Sequence, residues 1–317
     1  MNSVINMIVV AGPTASGKTR CAISLAKIYG GEIVSADSMQ IYRGFDIGSA
    51  KPSARELAEA THHLVGCVDP REDFSVAVYQ KLAREAIAGI YSRGGLPIVA
   101  GGAGLYVNSI LYDMDFCALP KQEATRAALW DEAEKKGGGV LHERLKSLDP
   151  AAARRIHPNN VKKVVRALEA LEHSGGKTGL NSFDEAFTPY PGYSPLIIGL
   201  TREREELYAR INARVDRLLE AGLVREVEEL VRGGLSMENI SMKGIGYKEI
   251  FNYLTGSHNL ERAVYLIKQN SRRYAKRQLT WFRRYPNINW FNISSYGGEK
   301  DALDDIADFC AKAMGKI

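Results

Sequence analysis

The stretch Gly12-Pro13-Thr14-Ala15-Ser16-Gly17-Lys18-Thr19 constrains this chain more than any other. It fits G-x-x-x-x-G-K-[ST]. Before it lies a compact apolar run, Val4–Val10, read as a buried strand. After it, Ser16 to about Tyr29 has helical spacing (Cys21, Leu25, Ile28) and stops at Gly30-Gly31. Strand, glycine loop and helix are the context the motif requires. The glycines let backbone N–H groups turn inward around phosphate oxygens, and the helix N-terminus adds partial positive charge. Lys18 would reach the outer phosphates as a point charge, and the Thr19 hydroxyl would ligate Mg²⁺. The loop implies a polyphosphate ligand. It does not say which one, nor that ATP is hydrolysed.

The same alternation continues. Glu32–Ala36 reads as a second strand, Ser75 to about Arg93 as an amphipathic helix, and Leu96–Ala100 as a third strand closed by Gly101-Gly102. Strands separated by helices of this length imply a parallel sheet with right-handed crossovers. From about Phe116 to Tyr193 the chain becomes helical and rich in Ala, Lys and Arg, with loop signals at Gly137–Gly139 and Gly175-Gly176. Ser194–Leu200 is again a strand, and Arg202 to about Arg232 reads as one long helix. The expected fold class is α/β: a P-loop NTPase-like parallel sheet flanked by helices, with an all-helical insertion. The expected divisions are 1–115 for the first part of the core, 116–193 for the insertion, and 194–317 for core completion plus a basic helical segment.

At 317 residues the chain is long enough for about two domains. Cys21, Cys67, Cys117 and Cys310 are scattered without a C-x-x-C pair, which argues against a zinc ribbon, an iron–sulfur site or a disulfide scaffold. No apolar run approaches the length of a transmembrane helix. The N-terminus lacks a basic leader region, so a cytoplasmic protein without a membrane role is expected. The net charge of +5 is unevenly spread. Arg262 to Tyr296 contains no Asp or Glu and eight Lys or Arg, leaving −3 for the rest. Tyr274, Trp281, Phe282 and Tyr285 lie among those charges, a mixture suited to RNA phosphates and unpaired bases. The alternative is a solvated helix whose aromatics face the core.

Asp37 ends the second strand, where ligands of open α/β sheets bind. It reads as a general base, a Mg²⁺ ligand or a turn-forming cap. Gly101-Gly102-Ala103-Gly104 also follows a strand, and reads either as amides that approach the same ligand or as a plain flexible turn. Arg210, Arg214 and Arg217 share one helix face. They form either a phosphate clamp or a solvated face laced to Glu203, Glu206 and Glu220. His62-His63 and His157 have no partners at metal-ligand spacing.

The ordered blocks Gly12–Thr19, Ser35–Tyr42, Asp46–Gly48, Ala50–Pro52, Gly101–Tyr106, Arg155–Asn159, Arg166–Glu169, Gly244–Tyr247 and Ala275–Trp281 resemble the bacterial-type tRNA dimethylallyltransferases (tRNA isopentenyltransferases). The resemblance implies transfer of a dimethylallyl group from its diphosphate to N6 of the adenosine just 3′ of the tRNA anticodon, with release of diphosphate. Gly12, Pro13, Thr14, Ala15, Ser16, Gly17, Lys18 and Thr19, with Ala103, would then hold diphosphate, with Mg²⁺ on Thr19. Asp37 would be the general base, and Arg214 and Lys18 would stabilise the leaving group. Asp37, Ser38, Met39 and Gln40, then Lys162, Lys163, Val164, Val165 and Arg166, then Lys276 and Arg277 would meet tRNA. The helical insertion would grip the anticodon stem-loop. One departure stands out: where the family carries Thr or Ser after the double glycine, this chain has Ala103.

Three alternatives remain at this level. An adenylate isopentenyltransferase acting on free AMP would need neither the insertion nor the basic segment. A small-molecule kinase would share the loop but cleave ATP. An RNA-binding module would carry the loop as a relic. A monomer is expected.

Overall fold

The computed structural model describes residues 5–114, 116, 123–173 and 188–315. The expectations resting on Val4, Cys117 and Gly175-Gly176 lie outside them. The chain divides into two units, Met1–Leu111 with Pro191–Ile317, and Tyr112–Tyr190.

The first unit is built on a parallel sheet. Strand β1 (Met7–Ala11) is buried at every position, as a strand covered on both faces must be. The phosphate loop follows, then α1 (Lys18–Tyr29), which ends on Gly30 in a left-handed conformation. Next come β2 (Gly31–Ser35), the short α2 (Ala54–Glu59) and β3 (His62–His63). Helix α3 (Val76–Ser92) is capped by the Ser75 side chain. It leads to β4 (Leu96–Gly101) and α4 (Gly104–Leu111).

The second unit, among its described residues, consists of helices α5 (Glu123–Lys136), α6 (Gly138–Leu148), α7 (Pro150–Arg155) and α8 (Val161–His173). They pack on Leu141, Leu145, Val164 and Leu168. Its two ends meet where Tyr112 and Pro189 form an antiparallel bridge.

The first unit resumes with β5 (Pro195–Thr201), α9 (Arg204–Glu220), α10 (Leu223–Arg232) and α11 (Tyr247–Leu254). It closes with the long α12 (Leu260–Phe282), β6 (Ile288–Asn292) and α13 (Glu299–Ala313).

The sheet order is β3-β2-β4-β1-β5-β6, all parallel. The α/β class expected from sequence therefore holds. Strand β1 lies at the centre, with Ile8 opposite Ile98 of β4 on one side and Leu196 of β5 on the other. The chain leaves β1 for β2 on one side and returns to β5 on the other. The carboxyl end of β1 thus marks the crevice where doubly wound sheets bind ligands. Two edge strands escape sequence reading. His62–His63 is very short, and Ile288–Asn292 is half-buried throughout, so neither shows an apolar run. The single helix expected from Arg202 to Arg232 is two. The chain turns at Ala221-Gly222, where Gly222 has φ +103°, a conformation that favours glycine.

Among the described residues of the helical unit, one polar side chain is fully buried. Glu169 is 0% exposed and takes Arg126 at 2.9 Å and Arg166 at 2.9 Å. Burial pushes its carboxyl up, but the two guanidiniums outweigh burial and hold it below the usual range. Glu169→Ala should cost about 2–3 kcal/mol, less than for a fully buried pair because both arginines are partly exposed. That contribution is complete above the unfolded carboxyl value of about 4.3 and is lost as pH falls through the lowered folded value. Urea titrations of both proteins from pH 7 to pH 3 should show the gap closing in acid. A gap that ignores pH would rule out the ion pair as its source.

Candidate active site

The loop between β1 and α1 takes its shape from two glycines that no other residue could replace. Gly12 has φ +148°, and a Cβ there would lie 2.4 Å from the Leu200 carbonyl oxygen. Gly17, at φ +106°, is the residue from which α1 starts. Lys18 Nζ donates back across the loop to the Pro13 carbonyl at 2.7 Å. From α9, Arg210 Nε donates to the Ala15 carbonyl at 3.3 Å.

A second loop closes in beside it. Gly101 would place a Cβ 2.1 Å from the Ala36 carbonyl, Gly102 2.1 Å from Gln278 Nε2, and Gly104 2.1 Å from the Trp281 ring. The glycines after β4 are therefore required by packing against β2 and α12. Gln278, 5% exposed, joins the two loops. Its Oε1 accepts from the Thr14 amide at 2.9 Å, and its Nε2 donates to the Gly102 carbonyl at 2.9 Å. The sequence signal for this residue was faint: one polar side chain on the buried stripe of α12 between Ala275 and Phe282.

Asp37 follows β2 directly. Its Oδ1 accepts from the amides of Met39 at 2.8 Å and Gln40 at 3.3 Å. The turn-forming role is thus real and engages one oxygen; Oδ2 has no hydrogen bond among the described residues.

These elements enclose a cavity of about 520 Å³ lined by Thr14, Lys18, Thr19, Asp37 and Arg214, among others. Ser38, Met39 and Gln40 are on its wall, as are Tyr42, Tyr106, Tyr274 and Arg277. Burial, then the neighbouring Arg214 charge, press the Lys18 ammonium down to about 7, with Asp37 opposing them. Arg214 is likewise lowered, first by burial, with Asp37 raising it and Arg217 lowering it. The site joins cationic groups that burial and neighbouring positive charge disfavour to a single half-buried carboxylate. A polyanion would relieve the first, and an acidic N–H could meet the second.

Several expectations need correction. Ser16 is 0% exposed, so its side chain does not face a ligand, and its amide donates within the loop to the Pro13 carbonyl at 3.3 Å. Pro13 has no N–H and its carbonyl takes Lys18. Ala103 is not on the cavity wall; Gly101 and Gly102 are, and the Ala103 amide donates to Ala36. In the helical unit, Val164 (0% exposed) and Val165 (2%) are core residues whose side chains cannot reach RNA, whereas Lys162 and Lys163 are exposed. Of the arginines expected to share one face of α9, Arg214 lines the cavity, Arg210 holds the loop, and Arg217 is exposed.

The aromatics of the acid-free segment mostly face inward. Phe282 and Tyr285 are buried, Tyr285 is bonded to Asn108, and Trp281 packs on Gly104. Some of its charges are engaged as well: Lys268 pairs with Asp216 at 2.6 Å, and Arg272 donates to Asn212 at 2.6 Å. Arg273, Lys276 and Arg277 are exposed.

Comparison with known proteins gives concordant results. A family model described as IPP transferase matches residues 40–285, and one described as isopentenyl transferase matches residues 5–65. The chain is 50% identical to the tRNA dimethylallyltransferase of Alkaliphilus oremlandii over 306 residues, covering 96% of each. It is 46% identical to that of Acetivibrio thermocellus, covering 96% of this chain and 97% of the relative. Among solved structures, the full-length tRNA isopentenylpyrophosphate transferase of Bacillus halodurans superposes with a TM-score of 0.73 at 42% identity, over 98% of this chain and 97% of its own. A eukaryotic dimethylallyltransferase acting on tRNA gives a TM-score of 0.81 at 27% identity, over 97% of this chain and 80% of its own.

The lowered Lys18 has a measurable consequence. At pH 8 it is mostly neutral in the free site, and a bound polyanion raises its pKa, so binding should draw a proton from solution. Calorimetry with inorganic diphosphate in buffers of differing ionisation enthalpy should register more proton uptake for the wild type than for Lys18→Met. The difference should shrink at pH 6, where Lys18 is already charged. Equal uptake by the two proteins at pH 8 would contradict the assignment.

Proposed function

The chain belongs to the IPP transferase family, and we propose that it transfers a dimethylallyl group from dimethylallyl diphosphate to N6 of the adenosine 3′-adjacent to the anticodon in tRNA, releasing diphosphate. One observation carries this reading: Lys18, Thr19, Arg214 and Asp37 line the same cavity. In the transfer, the N6 amine attacks the terminal CH₂ of the dimethylallyl group. The C–O bond to diphosphate breaks, and the amine proton passes to Asp37. An exocyclic amine is a weak nucleophile, so a carboxylate accepting its proton lowers the barrier. Lys18, Arg214 and the loop amides stabilise charge developing on the leaving diphosphate.

Mg²⁺ suits this donor set. Thr19 would hold it together with diphosphate oxygens, since Mg²⁺ commonly keeps waters and phosphates as most of its ligands, and the ion would neutralise leaving-group charge. A stacked adenine is out of reach, so the base must be extruded into the cavity.

On this reading tRNA meets Asp37–Gln40 at the cavity, Arg273, Lys276 and Arg277 on α12, and Lys162, Lys163 and Arg166 in the helical unit. The protein acts as a cytoplasmic monomer. Among the described residues, no helix is long and apolar enough to cross a membrane. Free AMP is the competing acceptor. The isopentenyl transferase match over residues 5–65 is compatible with either acceptor, and the exposed lysines of the helical unit favour tRNA.

Mass spectrometry of nucleosides from tRNA incubated with the protein, Mg²⁺ and dimethylallyl diphosphate should reveal N6-dimethylallyladenosine. AMP under the same conditions should remain unmodified, and the reverse outcome would move the assignment to the nucleotide. Asp37→Ala should slow transfer at saturating tRNA on the order of 10²–10⁴-fold. Wild-type turnover by that variant would remove Asp37 as the base.

Phosphate contacts release counterions, so Lys276→Gln with Arg277→Gln should flatten the dependence of log K on log salt by about 0.7–0.9 per lost contact. An anisotropy titration with an unchanged slope would take α12 out of the RNA site.

A further inference from the structure

A second cradle of backbone amides lies in the same unit as the phosphate loop, and the chain fills it with its own carboxylate. Glu226 of α10 accepts from three successive amides, Asp46 at 2.9 Å and Ile47 at 2.6 Å on Oε2, and Gly48 at 2.9 Å on Oε1. Oε1 also accepts from the Tyr247 hydroxyl at 2.8 Å. The tyrosine oxygen in turn accepts from the Ser49 amide at 3.0 Å. Successive amides pointing inward form an anion site. Here one side chain occupies it and fixes three consecutive residues, with the fourth, Ser49, held through Tyr247. Gly48 is part of the fit, because a Cβ there would lie 2.6 Å from the Tyr247 ring. Tyr247 also packs on Phe45, with ring centroids 4.4 Å apart.

The segment so held leads to the site. Ala50 has φ +46°, a strained conformation for a residue with a side chain. Such strain persists only where the surroundings over-determine it. The Ala50 carbonyl accepts from Gln40 Nε2 at 3.1 Å, while Gln40 Oε1 accepts from Ser35 Oγ at 3.3 Å. The Gln40 and Met39 amides are the two that cap Asp37. The circuit closes on the far side, where the Met39 side chain occupies the space beside Gly244, 2.5 Å from where a Cβ would stand, three residues before Tyr247. Gly48, Ser49, Ala50, Gly244, Ile245 and Gly246 all belong to the cavity wall.

We infer that Glu226 is a positioning residue for the transfer step, holding the Asp46–Ala50 segment and, through Gln40, the turn that aims Asp37 at the acceptor. An apolar side chain at this position of α10 would leave all four donors without their acceptor. Only a carboxylate satisfies these four donors together. Diphosphate is held by Lys18, Thr19 and Arg214, none of which is in the circuit, so the effect should fall on the acceptor chemistry and leave donor binding alone. The kinetic part of this inference rests on the transferase reading above.

The test compares Glu226→Gln and Tyr247→Phe with the wild-type protein. Glutamine keeps the size but offers one acceptor oxygen for four donors. Phenylalanine removes only the hydroxyl and keeps the ring against Phe45. Both should remain folded by circular dichroism and bind dimethylallyl diphosphate within roughly twofold of wild type, as expected for an uncoupled site. Both should lower kcat at saturating tRNA by roughly ten- to a hundredfold, the scale of a misplaced catalytic group. Deuterium exchange in peptides covering residues 37–50 should quicken in both.

Wild-type kcat in the two variants would overturn the inference. So would donor affinity and kcat falling in proportion to a loss of folded protein, which would mark Glu226 as a general stabiliser. If the wild-type protein does not prenylate tRNA, the functional reading fails first. Exchange over residues 37–50 then decides the positioning claim by itself: faster exchange supports it and unchanged exchange overturns it.

Discussion

The amide of Gln278 is the contact on which the site depends. It is nearly fully buried in α12, yet its two ends hold loops that leave different strands: the Thr14 amide after β1 and the Gly102 carbonyl after β4. Each hydrogen bond contributes only about 0.5–1.5 kcal/mol net, but removing the side chain would leave the buried Gly102 carbonyl and the part-buried Thr14 amide without these partners. The double glycine follows from the same contact, since Gly101 and Gly102 have no room for a side chain against Ala36 and Gln278. Helix α12 therefore acts as a brace. The inward packing of Phe282, Tyr285 and Trp281 follows from that role, and it leaves the outer face of the helix to Arg273, Lys276 and Arg277.

On this scaffold the chain places charges that do not suit one another in the absence of ligand. Burial and the Arg214 charge press Lys18 down, burial and Arg217 press Arg214 down, and Asp37 compensates only in part. Positive groups held ready in a cavity need no reorganisation when negative charge develops on a leaving group. The one carboxylate beside them is divided in its duties. Oδ1 is tied into its own turn, which fixes the orientation of the group, and Oδ2 carries no such bond among the described residues. A general base needs both properties.

The two amide cradles of this unit use the same backbone chemistry for different ends. The first, Gly12–Thr19, is built around glycines and Lys18 and suits an external polyanion. The second, Asp46–Gly48, is closed by Glu226 and Tyr247. This gives a physical meaning to sequence blocks that carry no reactive groups. Asp46–Gly48 and Gly244–Tyr247 are far apart in the chain, yet they are joined by the Tyr247 hydroxyl and by the space that Gly48 leaves for its ring.

Much of this was legible in the residues alone. The phosphate loop, the strands β1, β2, β4 and β5, and the position of Asp37 at a strand end could all be read, because a strand buried on both faces must be a short apolar run and a phosphate loop must be glycine-bounded. The edge strands His62–His63 and Ile288–Asn292 could not, because half-buried strands need no such run. The break at Gly222 was hidden inside a continuous helical periodicity. The roles of Gln278 and Glu226 were also hidden, since hydrogen bonds spanning 264 and about 180 residues leave no trace in local spacing. Sequence determined which backbone could cradle phosphate and which residue types could perform the chemistry, because those depend on local geometry and on the side chains themselves. Tertiary structure decided which of the candidates face the cavity and which only hold it in place. That choice rests on burial and long-range hydrogen bonding, which exist only once the chain has folded.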